Sequence, residues 1–158
     1  GDEAHIEPLE DLMAVYYRSV GHNSTLILGL TPNPDGLLPD PDVRRLAEWG
    51  REIERRFSDP LAATSGEGST LELRLPSPQA VNHIVIQENI KNGERVRSYR
   101  VQAYQDGGWT EVCEGSCIGH KRIQRFETVL TDRIRLNISD ATATPQIKGF
   151  SVYFVDAR

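Results

Sequence analysis

The sequence predicts a mainly β protein, a β-sandwich or jelly roll, with a short helix–strand–helix (αβα) segment in front of it. Three observations carry this. From residue 69 onward, short stretches alternate apolar and polar residues, as in Leu71, Leu73 and Leu75 against Glu72 and Arg74. That is the period-two signature of strands with one buried face. Turn residues separate these stretches, most clearly Asp106-Gly107-Gly108 between two alternating runs. Glycine supplies the positive φ that tight hairpin turns require, so this is a hairpin signal. Before residue 58 the apolar period changes instead to that of amphipathic helices.

The front segment, residues 1–58, reads as follows. Leu9, Leu12, Met13, Tyr16 and Val20 recur at helical spacing, with Gly21 as a stop. Residues 25–30, TLILGL, form a continuous apolar run, which predicts a strand covered on both faces, as in a parallel sheet. Pro32, Pro34, Asp35, Gly36 and Pro39 mark a loop. Asp40 before Pro41 predicts an N-cap followed by proline at the first helical position. The next helix carries Val43, Leu46, Gly50, Ile53 and Phe57 on one stripe, with Trp49 beside it. A single strand has no parallel partner within this segment. Leaving large apolar side chains in water forfeits roughly 1.5–3 kcal/mol each, so the segment is expected to belong to a larger α/β body.

Residues 59–68, DPLAATSGEG, are small and polar and read as a linker. The sandwich is expected over 69–158. Its strands are centred on Leu71–Leu73–Leu75, on the apolar run 81–86, on Tyr99–Val101–Ala103 and on the return through Trp109 and Val112. Two further strands follow at Ile134–Leu136–Ile138 and Phe150–Val152–Phe154.

Length and charge bound the function. A chain of 158 residues fits one domain, or one domain plus a fragment. The net charge of −5 is dispersed, leaving no basic footprint for nucleic acid and no polybasic membrane patch. No apolar run approaches the ~20 residues of a membrane helix. The chain begins at Gly1 rather than Met and opens with no signal-peptide pattern, so its start reads as a cut or a processing boundary.

Two polar loops flank the hairpin: Gln87, Glu88 and Asn89 before it, His120, Lys121 and Arg122 after it. In one reading they hold a sugar, with Glu88 and Asn89 accepting from hydroxyls. His120, Lys121 and Arg122 would then donate, and Trp109 would stack on a sugar face. In the other, Glu88 pairs with Lys121 or Arg122 and ties neighbouring strands together. The second is favoured, because neither loop carries an aromatic of its own and Trp109 can equally pack on the hairpin. Cys113 and Cys117 allow either a local disulfide across Gly115 or a reduced, buried Cys113. With His120 they make too few ligands for zinc, and no metal or cofactor is expected. The sequons at Asn23 and Asn137 run into predicted strands and read as chance matches, and His83 reads as a satisfied core histidine.

The run YYRSVGHNSTLILGLTPNPDGLLPDPDVRRLAEWGREI resembles the closing segment of the catalytic (β/α)8 barrel of bacterial α-L-fucosidases, glycoside hydrolase family 29. The likeness rests on the helix ending in a Ser-Val-Gly-x-Asn turn, the apolar last strand and the Pro-x-x-Asp-Gly-Leu loop. His22 stands where arginine is common, and Gly29 where asparagine is common. The second part resembles the discoidin or coagulation-factor type C family, a galactose-binding-like jelly roll. That likeness is carried by 81–87, the Asp-Gly-Gly-Trp hairpin, the Arg-Ile-Arg-Leu strand at 133–136 and the closing 147–153. QENIKNGERV and SCIGHKRIQRF are similar to the version that follows the family 29 barrel.

The resemblance implies an accessory region of a retaining α-L-fucosidase acting on fucosylated glycans, in a periplasmic or extracellular compartment. A retaining glycosidase needs two carboxyls about 5–5.5 Å apart, and in the family these lie upstream of anything present here. Asp11, Asp35, Asp40, Asp42, Glu48, Glu52 and Glu54 read as solvated helix faces and caps, so no catalytic residue is expected in this chain. The missing barrel is the expected partner, with self-association through the exposed αβα segment when it is absent. The alternative is a free-standing carbohydrate-binding or adhesion module of the discoidin type.

Overall fold

The computed structural model of the chain describes residues 6–156. Two helices, α1 (Leu9–Arg18) and α2 (Asp40–Phe57), precede six strands. These are β1 (Ala62–Glu67), β2 (Thr70–Glu88), β3 (Val96–Gln105), β4 (Gly108–Gly115), β5 (Arg122–Ala141) and β6 (Gln146–Tyr153). They are antiparallel and hydrogen-bond in the order β1-β6-β2-β5-β3-β4.

The expected strands 71–75 and 81–86 are the two halves of one strand, β2. Its first half pairs with the second half of β5 (Arg74 opposite Arg133), and its second half with the first half of β5 (Ile84 opposite Gln124). Between them the register slips from Arg74 to Gln79, across Pro76 and Pro78. Proline has no N–H for a ladder, so the strand bends there and enters the second layer. Leu73, Ile84, Ile86, Tyr99, Val101, Ile134, Leu136, Phe150 and Val152 from both layers close into one core. The hairpin forms as expected: Gln105 faces Gly108, and Asp106 and Gly107 take φ of 49° and 86°. Two successive positive-φ residues are the requirement of the tight turn whose twist matches the flanking strands.

The unbroken apolar run 81–86 has its explanation in a second layer of packing. Ile84 and Ile86 point into the sandwich. Val85, with Ile123 and Tyr153, points outward and packs against Met13, Tyr17 and Trp49 of the two helices. Helix α2 is turned further than its stripe predicts. Trp49 is buried and Leu46, Ile53 and Phe57 pack beside it, while Val43 faces solvent. The N-cap of α2 is Pro39 with no side-chain cap, so Asp40 lies inside the first turn.

Two expectations are corrected. Residues 25–30 form no strand, because no neighbouring strand offers them a ladder. Ile27 is 87% exposed and Leu28 and Leu30 also face solvent. Only Leu26 of the run packs against the helices. The stretch 59–68 is not a free linker either, since it contains β1, which pairs with β6. An edge strand needs a ladder on one side only, which its small polar composition permits.

Candidate functional site

The polar loops flanking the hairpin do converge, but on each other's backbone. Glu88, at the end of β2, is 3% exposed. Its Oε1 accepts from the amides of Arg95 (2.9 Å) and Val96 (3.0 Å), and its Oε2 from the amide of Gly119 (2.8 Å). The Glu88 amide donates in turn to the Gly119 carbonyl (2.9 Å). Glu88 therefore spends both carboxylate oxygens on main-chain amides and forms no ion pair with Lys121 or Arg122. Charge-assisted bonds to backbone N–H groups are the strong class, and here they splice the 89–95 loop to the 116–121 loop. Asn89 opens a short 3-10 turn, Ile90–Asn92, with its side chain accepting from the Lys91 amide.

A residue from the helical segment completes this junction. Asn23, at a φ of 62°, donates from Nδ2 to Glu94 Oε1 (2.7 Å) and accepts at Oδ1 from the His120 amide. Its own amide donates to the Lys121 carbonyl (2.9 Å). Gly119, at a φ of +63°, leaves the room: a Cβ there would lie 2.2 Å from the Asn23 amide nitrogen. Arg122 bridges to His22 through the backbone and brings Nη1 to 3.1 Å from His22 Nδ1. Burial, and then the Arg122 charge, lower the His22 pKa, which keeps Nδ1 an acceptor for that guanidinium. The His120 side chain is exposed.

Trp109 lies apart from these loops. It sits on the hairpin's outer face, edge-on to Tyr104 at 5.4 Å, with the Arg135 guanidinium 4.2 Å from its ring. Arg133 covers Tyr104 at 3.5 Å. Of the six candidate residues, the fold thus joins Glu88 with the 119–122 loop, and it sets Trp109 elsewhere. Cys113 and Cys117 are both free thiols. Burial pushes the Cys113 thiol up to about 12, which makes it a poor nucleophile. Among the described residues no three His, Cys, Asp or Glu side chains converge as a metal site. The Asn23 and Asn137 side-chain amides donate to Glu94 and to Gln102, so both sequon nitrogens are engaged.

Sequence reasoning singled out Asn23 only as a sequon, although an asparagine just after Gly21-His22 is a residue type suited to positive φ.

The family model for the F5/8 type C domain matches residues 53–149. A Bacteroides thetaiotaomicron protein of known structure, assigned as an α-L-fucosidase, superposes with a TM-score of 0.96 at 52% identity, over 98% of this chain and 36% of its own. The SpGH29 structure gives a TM-score of 0.85 at 28% identity over 95% of this chain and 40% of its own. "Alpha-L-fucosidase 1" of Arabidopsis thaliana is 26% identical over 93% of this chain and 36% of its length. The chain thus spans a little over a third of these longer proteins. With a jelly roll, a matching family model and longer proteins assigned as α-L-fucosidases similar to it along nearly its whole length, the chain belongs to the F5/8 type C domain family.

Proposed function

We propose that the chain is the accessory C-terminal region of a retaining α-L-fucosidase, bracing its catalytic barrel and doing no chemistry alone. One observation carries the reading. Residues 25–38 present Ile27, Leu28, Leu30, Leu37 and Leu38 to solvent, while both ends of that stretch are fixed. Its start is held at Asn23 by the 119–121 loop. At the other end α2 is packed on the sandwich. Between them the Asn33 side chain accepts from the Asp35 and Leu37 amides (3.0 and 2.9 Å), so the loop holds its shape while showing apolar residues. A fixed frame that displays two apolar clusters, Ile27–Leu30 and Leu37–Leu38, is suited to a partner that covers them, and the longer fucosidase relatives carry chain beyond this region. A free-standing binding module has no use for such a stretch.

The test is hydrolysis of an aryl α-L-fucoside by the full-length parent beside the 158-residue chain. Turnover by the parent and none by the chain is expected. Turnover by the chain, or none by a folded parent, overturns the reading.

A further inference from the structure

The first half of β2 is an open sheet edge whose hydrogen-bonding phase is fixed. From Thr70 opposite Asn137 to Arg74 opposite Arg133 its register with β5 is unbroken. One step earlier, the Ile138 amide donates to the Ser69 carbonyl at 2.7 Å. Antiparallel ladders alternate bonded and non-bonded pairs. Leu71 and Leu73 therefore turn their N–H and C=O groups to β5, and Thr70, Glu72 and Arg74 turn theirs away from it. The second partner of β2, strand β6, pairs only with 83–88. Among the described residues no strand takes up the outward groups, and Thr70, Glu72 and Arg74 are all exposed. Such a row of unpaired main-chain groups is a template for another strand.

The side chains along this edge match their own reversed copy. Two-fold antiparallel pairing about Leu73 brings outward-facing residues together and sets Glu72 opposite Arg74 of a second copy, and Arg74 opposite its Glu72. Pairing centred on Glu72 or on Arg74 sets like charges face to face, and directly opposed like charges destabilise a sheet. Pairing centred between two residues sets an outward-facing residue against an inward-facing one, so the hydrogen bonds miss. Within one chain Arg74 faces Arg133 and has Glu72 as its carboxylate at 3.3 Å; the second copy brings it another. On the inner face, partly buried Leu71 comes opposite Leu75. Pro76 comes opposite Thr70 with a carbonyl but no N–H, which ends the ladder.

We propose that this edge pairs with a second copy of the chain, joining the β2-β5-β3-β4 layers of two molecules into one antiparallel sheet. Glu72 and Arg74 exchange main-chain hydrogen bonds with Arg74 and Glu72 of the copy. Both molecules use the same edge, so association closes at the dimer. The surface belongs to the sandwich, not to residues 25–38, and stands or falls independently of the barrel reading.

The test is sedimentation velocity over a concentration series, in the chain carrying Ile27→Ser and Leu37→Ser so that the apolar stretch contributes no second contact. A reversible dimer is expected. Glu72→Arg sets arginine against Arg74, and Arg74→Glu sets glutamate against Glu72. Each should weaken the dimer about ten-fold, as two opposed charge pairs become like pairs. An equimolar mixture of these two variants should dimerise again, because every opposed pair is then of opposite charge. Hydrogen exchange followed by NMR gives a readout that needs neither charge reversal: with rising concentration the Glu72 and Arg74 amides should gain protection, and the Leu71 and Leu73 amides should not change. A monomer at every concentration, a dimer indifferent to both reversals, a mixture of folded variants that stays monomeric, or protection without that alternation would each overturn the proposal. None of these outcomes bears on whether the full-length parent cleaves a fucoside.

Discussion

Tyr17 on α1 and His83 on β2 share a buried hydrogen bond, hydroxyl to Nε2, at 2.9 Å. It is the polar centre of the seam between the helices and the sandwich. The direction of the proton follows from the neighbours. Asn82 Nδ2 donates to the Val155 carbonyl and Asn82 Oδ1 accepts from the Val155 amide, both at 2.9 Å. His83 Nδ1, 2.7 Å from that same Oδ1, therefore carries the hydrogen, and Nε2 is left as the acceptor for Tyr17.

A pH dependence follows. Burial, then the Arg125 and Arg56 charges, lower the His83 pKa to about 4. Acidic groups also stand at this seam: Glu10 and Glu52 pair with Arg56 at 3.3 and 2.6 Å, and Asp156 lines the same cleft as His83. The folded state prefers neutral His83, so the stabilisation is complete above the unfolded pKa near 6.5 and is lost as pH falls toward 4. Urea unfolding from pH 7 to pH 4.5 should show a loss of order 2–3 kcal/mol. His83→Leu should flatten that slope, whatever its absolute stability. Glu52 does not interfere: hydrogen bonding by Arg55 holds it at about 2, and its contribution fades only below pH 4.5.

Glu88→Gln tests whether the loop carboxylate binds backbone. A carboxamide keeps one oxygen but sets an NH2 group against main-chain amides that also donate. The change should cost about 2 kcal/mol in urea unfolding. A variant as stable as the parent chain would contradict the splice between the two loops.

Gly119→Ala adds a methyl where the Asn23 side chain lies and where φ is positive. The expected loss is about 2–3 kcal/mol. Asn23→Ala removes the obstacle along with its hydrogen bonds, so the double variant should be less destabilised than the sum of the two singles.

The exposed stretch should make the chain sticky when it stands alone. Ile27→Ser with Leu37→Ser, at sites 87% and 65% exposed, should reduce self-association in sedimentation velocity while leaving the melting temperature of the sandwich unchanged. In the full-length parent the same pair should weaken fucosidase activity or yield of folded protein.

The thiols should differ. A maleimide should label exposed Cys117 in the native chain and spare Cys113 until unfolding, as mass spectrometry of digests would show.

Much of the sandwich is legible from local patterns. Alternation at Leu71–Leu75 and Ile134–Ile138 marks its faces, and Asp106-Gly107 marks its hairpin, because both properties belong to residues close in sequence. What depends on distant pairing is hidden. β1 reads as a linker because Ala62–Glu67 lacks the β-branched bulk of a central strand and is held only by β6. Glu88 reads as a side-chain partner because its acceptors' donors are main-chain amides, which leave no mark in composition. The strand expected at 25–30 does not form, because no described strand lies beside it to offer a ladder.

The proline-bent course of β2, matched by the length of β5, has one more consequence. Each of these strands supplies pairing to both layers, so neither layer owns a complete set of edges. Peeling one layer open strips backbone partners from the other. The sandwich should therefore open as a single cooperative unit, with its slowest-exchanging amides along the β2–β5 ribbon. Its contacts are dominated by residues far apart in sequence, which makes its assembly slow for its size. The helices, clipped to the outside of that ribbon through Tyr17 and His83, are free to let go first.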